Sequence, residues 1–167
     1  MLGEFELNER ADQTKYLMTD PQKNDYKKIT DLDAKRHFLF DFWRAKDAEV
    51  QNAQPLSAYR AFVRRIESAN KQYTIMKTPG WKTSRGRVLI QYGIPDEILR
   101  QSSSIDTKPY YIWEYTGRNI ALQSGSRAQF VFVDKTGGGN FVLVHSNARG
   151  ETSEPNWYGR EALQTTN

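Results

Sequence analysis

The sequence predicts an α+β fold: N-terminal helices packed on a four-stranded antiparallel sheet, with a C-terminal helix. Three observations carry this reading. Apolar residues of the first half recur at helical spacing, and after Pro95 the period falls to two. Proline, glycine and hydroxyl or amide side chains stand at the joints between these segments. The chain has 167 residues, about one domain, which is long enough to close a core without staples. Aromatics make up 13% of it, so the core is expected to be built on rings. Residues 1–18 mix charges with single apolar residues and read as an arm, an appended extension or a short helix. Residues 19–164 read as a single domain and 165–167 as a tail.

Thr19-Asp20-Pro21 sets an oxygen acceptor before a proline at the first helical turn, so a short polar helix is expected at about 20–29. Asp31 caps a stronger helix at about 32–46. Leu32, Leu39, Phe42 and Trp43 share one face of it, and Phe38 and Phe40 widen the stripe, which implies burial on more than one side. Pro55 opens a helix of about 56–75, in which Tyr59, Phe62, Val63, Ile66, Asn70 and Tyr73 form the stripe. Arg60, Arg64, Glu67 and Lys71 lie off it and read as a solvated face.

Thr78-Pro79-Gly80-Trp81 breaks that helix. In the stretch that follows, Val88, Ile90 and Tyr92 alternate like a strand, while Val88, Leu89 and Tyr92 suit a helix face. Thr83 as cap, Gly93 as terminator and Pro95 beyond it favour a helix over 83–92. Strands are then expected at 97–102, 109–115, 129–134 and 139–145. Lys135-Thr136-Gly137-Gly138-Gly139 forms a hairpin turn between the last two. One face of this meander must pack on helices. Ser102-Ser103-Ser104 and Gln123-Ser124-Gly125-Ser126 read as loops, and a last helix is expected at about 154–164 with Ser153 as cap.

Several function classes fall away on composition. There is no cysteine, so disulfides, iron–sulfur clusters and thiolate zinc sites are excluded. Two histidines leave little for a metal centre, and no metal or cofactor is expected. No apolar run approaches the ~18 residues of a membrane span. The start of the chain lacks the basic and apolar regions of a signal peptide. A net charge of +4 is mild for a nucleic-acid-binding domain. Tyr110, Tyr111, Trp113 and Tyr115 offer stacking surfaces, but no RNP-type motif accompanies them, so a nucleic-acid partner is not expected.

His37, within the 32–46 helix, reads as a helix-surface or packed side chain. His145, with Asp134 or Ser146, is a hydrolase alternative, because a nucleophile needs a base in reach and a third group to orient it. No nucleophile-elbow pattern surrounds Ser146. Gly137-Gly138-Gly139 is no phosphate loop, since no Lys-Ser/Thr follows it. The denser cluster is Gly80-Trp81-Lys82-Thr83-Ser84-Arg85-Gly86-Arg87. There Trp81 is either an aromatic anchor for a partner or a staple that fixes the path of the chain. With the anchor reading, Arg85 and Arg87 become donors to anions or carbonyls and Tyr92 a packing partner.

These residues carry a resemblance. Gly80-Trp81-Lys82-Thr83-Ser84, Arg85-Gly86-Arg87-Val88 and Tyr92-Gly93-Ile94-Pro95-Asp96-Glu97-Ile98 resemble the GWxTD-domain family of bacteria. So do Phe42-Trp43-Arg44 with Asp47, Ile112-Trp113-Glu114-Tyr115, Phe130-Val131-Phe132-Val133-Asp134, Leu143-Val144-His145-Ser146, Arg149-Gly150-Glu151 and Pro155-Asn156-Trp157. The similarity covers roughly residues 30–160. The chain departs at the name-giving motif, where Ser84 replaces the family's Asp, and Ala48 follows Asp47 where the family often has Pro. The resemblance supplies no activity. It implies a domain of a larger exported protein, periplasmic or at the cell surface, with an envelope protein or a cell-wall component as partner. The expected function is therefore non-catalytic interaction, centred on Trp81, Arg85, Arg87 and Tyr92.

Overall fold

The computed structural model describes residues 3–116 and 127–164. The loop expected at 123–126 and the tail at 165–167 lie outside the described residues. The chain forms two compact units, residues 1–67 and 68–167.

The N-terminal unit is helical: α1 (Glu4–Thr14), α2 (Asp20–Lys28), α3 (Leu32–Ala48) and most of α4 (Ser57–Tyr73). The stretch read as an arm or a short helix is a helix, and it buries Leu7 and Ala11. Thr19 and Gln22 start α2 with a reciprocal capping box, and Asp31 accepts from the Ala34 N–H at 2.8 Å to start α3. The core is a cluster of rings. Trp43 meets Phe42, Phe62 and Tyr59 at centroid distances of 5.1, 4.6 and 5.5 Å. Such packing adds roughly 0.5–1.5 kcal/mol per ring pair beyond the area it buries. The broad stripe of α3 is not buried throughout: Phe40 is 51% exposed. His37 is exposed on the helix surface, with Nδ1 2.8 Å from the Asp33 carbonyl oxygen. Arg60, Arg64 and Glu67 form an exposed face of α4.

In the C-terminal unit a 3₁₀ turn at Gly80–Lys82 leads into α5 (Ser84–Tyr92). The sheet follows: β1 (Glu97–Gln101), β2 (Tyr110–Tyr115), β3 (Ala128–Asp134) and β4 (Phe141–Ser146). It is an antiparallel meander in the order β1-β2-β3-β4. Gly137 and Gly139 turn the β3–β4 hairpin with φ of 74° and 82°, which side chains with a Cβ resist. A register shift at Val131/Phe132 bends the last pair. Trp113, Tyr115, Phe130 and Phe132 line one face, where Tyr92 of α5 sits 4.7 Å from Phe130 and Tyr73 sits 5.8 Å from Trp113. Val131, Val133 and Val144 line the other, under Ala162 and Trp157. Outside β1, the sheet thus has buried side chains on both faces.

The last helix is shorter than expected. It is a single π turn, Tyr158–Ala162, and Ser153 does not cap it. Residues 154–157 form a turn in which Asn156 N–H and Trp157 N–H donate to the Glu154 carboxylate and carbonyl. Beyond it, Leu163 bridges Thr107, and Gln164 N–H donates to the Asp106 carbonyl oxygen. This extended pairing with residues 106–108 takes the backbone groups that a longer helix would need.

Candidate functional site

The Gly-Trp segment is held to the end of α4 by its backbone. Gly80 N–H donates to Thr74 Oγ1 and Trp81 N–H to Asn70 Oδ1, each at 3.0 Å. A Cβ at Gly80 would lie 1.9 Å from the Ala69 carbonyl oxygen, and one at Gly86 1.8 Å from the Gly80 carbonyl oxygen. Both positions therefore require glycine for close approach. Thr83 Oγ1 donates to the Gly80 carbonyl oxygen at 2.7 Å and accepts from Gly86 N–H at 3.1 Å. One hydroxyl thus closes the 3₁₀ turn and caps α5.

This geometry overturns the exposed-anchor reading of Trp81, which is only 5% exposed. The Lys82 ammonium lies 5.0 Å from its ring centroid. Arg85 is likewise turned inward. Its guanidinium lies over Tyr73, Tyr111 and Phe141, at 4.8, 5.1 and 4.4 Å from the ring centroids. Burial pushes its pKa down against the opposing pull of the two tyrosines. Arg87 makes a two-pronged pair with Glu151, Nη1 to Oε1 at 2.9 Å and Nη2 to Oε2 at 2.7 Å. Tyr92 donates its hydroxyl to the same Oε1 at 2.9 Å. Burial raises the Glu151 carboxyl's pKa, but Arg87 and Tyr92 outweigh it and hold the group below its ordinary value. Burial, and then the bond to Glu151, push the Tyr92 phenol up. Of the four residues expected to face a partner, Arg85, Arg87 and Tyr92 instead join α5 to the sheet and to the loop after β4, and Trp81 is buried.

The hydrolase alternative is not assembled. Asp134 lies three β3 residues from Val131, which pairs with His145, a separation of about 10 Å along a strand. Its carboxylate accepts from the Thr136, Gly137 and Gly139 N–H groups and holds the hairpin turn. His145 Nδ1 accepts from the Glu154 N–H at 3.0 Å, which sets the tautomer with the proton on Nε2. Ser146 is buried, and its Oγ accepts from Ala148 N–H at 3.0 Å. Each group is engaged in a turn of its own. The sheet aromatics do not form a stacking platform: Trp113 and Tyr115 are buried, and Tyr110 packs on Trp157 and Tyr158.

The feature that sequence reasoning passed over is the edge position of β1, which it expects only as a strand. All five of its residues are exposed, and it pairs with β2 on one side. Among the described residues no strand pairs with its outer edge. Ile98 and Leu99, each 50% exposed, point to opposite faces, and Ile94 and Ile105 flank the strand fully in the open. The register with β2 runs unbroken from Glu97↔Glu114 to Gln101↔Tyr110, so no bulge twists this edge away. The signal available in the sequence was Ile98-Leu99, adjacent apolar residues that break the alternation of a half-buried strand.

No curated protein and no solved structure matches the chain. The family model described as GWxTD domain matches residues 6–161, nearly the whole length, and it takes in the glycine-packed turn, the Thr83 cap and the Arg87–Glu151 pair described above. The chain belongs to the GWxTD domain family.

Proposed function

We propose that this GWxTD domain is a non-catalytic interaction domain of a larger exported bacterial envelope protein, and that it holds a protein partner by adding the partner's strand to β1. The observation that carries the reading is the open edge, five exposed residues long and unbulged, with Ile98 and Leu99 presented on its two faces. An added strand takes affinity from main-chain hydrogen bonds and selectivity from alternate side chains. The engagement of Asp134, His145 and Ser146 in separate turns supports a non-catalytic role. The envelope setting follows from the family resemblance and is part of the proposal.

The test is retention of a partner from envelope extract of the source bacterium by the immobilised domain. Ile98→Lys/Leu99→Lys places charge on both faces of the edge. Met76→Lys, at a position 97% exposed and away from β1 in sequence, is the control. Circular dichroism verifies that each variant folds. A partner held by the wild type and the control, and lost with the edge variant, supports the reading. Equal retention by all three, or no retained partner, overturns it.

A further inference from the structure

The N-terminal unit contains a cavity of about 240 Å³ beside the rings of its core. Leu7, Leu39 and Trp43 line it, together with the half-exposed Phe40. A dry cavity of roughly 150 Å³ with apolar walls already takes up benzene. This one has room for a longer apolar body.

Two features of its lining give the chemistry of an occupant. Arg10 and Arg36 both line the cavity, and among the described residues no carboxylate lines it. Arg36 shares its charge with Asp33 on the surface side of α3. Arg10 makes no ion pair among the described residues, and its guanidinium lies 5.7 Å from the Tyr59 ring. Among the described residues its buried Nη1 has no acceptor, and neither does the indole Nε1 of Trp43, a residue 4% exposed. Arginine and tryptophan side chains offer donors and no acceptor. Donors left without partners in a buried place are costly, and ones that persist call for an acceptor from outside the chain. With a guanidinium as one of the two donors, the matching group is an anion.

We propose that this cavity binds a small amphipathic carboxylate, a medium-chain aliphatic acid with its chain against Leu7, Leu39 and Trp43 and its carboxylate drawn to Arg10. The site lies within the N-terminal unit and is independent of the β1 reading. A ligand of that size binds with a Kd on the order of 0.1 mM.

The experiment titrates the full chain with octanoate, octanol and octylammonium. It follows the Trp43 indole N–H resonance, assigned with Trp43→Phe, and measures affinity by calorimetry. Octanoate is expected to shift that resonance and to bind about tenfold more tightly than octanol, with octylammonium weakest. Arg10→Met keeps the apolar stem and removes the charge. It is expected to bring octanoate down to the affinity of octanol and to leave octanol unchanged. Octanol binding as tightly as octanoate, or an octanoate affinity unaltered by Arg10→Met, overturns the proposal. So does an unmoved Trp43 resonance at saturating octanoate. The ranking of the three wild-type ligands decides the matter even if the variant fails to fold.

Discussion

Gly80 and Gly86 set how closely three pieces of backbone approach one another. The oxygen that a Gly80 methyl would strike belongs to the α4 main chain, which has no rotamer with which to move aside. Gly80→Ala is therefore expected at the costly end of overpacking, about 3 kcal/mol, read as a lower urea midpoint with little change in slope. Ser84 gives a prediction of opposite sign. It is the first residue of α5, where a carboxylate meets the positive end of the helix dipole. Ser84→Asp restores the residue that the family carries there, and a gain of about 0.3–1 kcal/mol in thermal unfolding is expected. A loss would show that position 84 answers to something besides the dipole. At this scale the sequence was partly legible. Thr83 as cap follows from local chemistry, whereas Gly86, a weak helix former, is explained by its approach to the Gly80 carbonyl oxygen. Trp81 does not, because a tryptophan among Lys82, Arg85 and Arg87 looks like a surface anchor until the approach of Gly80 to Ala69 turns it inward.

Elements whose ends carry local signals were legible, and those closed by distant partners were not. Thr19 and Asp31 cap α2 and α3 from the adjacent position, and both helices begin where the sequence places them. The start of α4 is closed from further away. Asp47, near the end of α3, accepts from the Leu56 N–H, from Ser57 Oγ at 3.0 Å and from the Ala58 N–H at 2.8 Å. A cap supplied across ten residues leaves no spacing rule to read. Asp47→Ala is expected to fray this end of α4 while leaving its middle intact. Amide exchange at Leu56 and Ala58 would rise severalfold, with no change at Phe62 or Ile66. Uniform exchange along α4 in the variant would show that packing, not the cap, holds the start. The C-terminal segment fails for the converse reason. Ser153-Glu154-Pro155 has the signature of a helix start, yet the pairing of residues 163–164 with 106–107 overrides it. β1 was legible as a strand but not as an edge, because strand order is a property of the folded sheet.

Over the whole molecule, each unit contains a carboxylate held below its ordinary pKa, from which an acid response of each is expected. In the N-terminal unit the Ala58 N–H, then Ser57 and Leu56, depress Asp47 against its own desolvation. In the C-terminal unit Arg87 and Tyr92 depress Glu151 despite its burial. A group with a depressed folded pKa binds more protons when unfolded, so its contribution to stability rises with pH. That contribution is complete above the ordinary value, 4.5 for Glu151 and 3.8 for Asp47, and is lost as pH falls through the lower folded value. Near neutral pH, Glu151→Gln leaves the Arg87 guanidinium half-buried without its counter-charge, and a loss of about 3 kcal/mol is expected. Below pH 4.5 the same variant should lose less stability per pH unit than the wild type, since it has no carboxyl there to protonate. Asp47→Asn should flatten the curve only from about 3.8 downward, because that is where its own proton binds. Urea midpoints measured from pH 7 to pH 3 separate the two, with Glu151→Gln departing from the wild-type slope at the higher pH. If both variants keep the wild-type acid slope, neither carboxylate governs acid unfolding, and the Arg87–Glu151 pair contributes through its geometry rather than its charge.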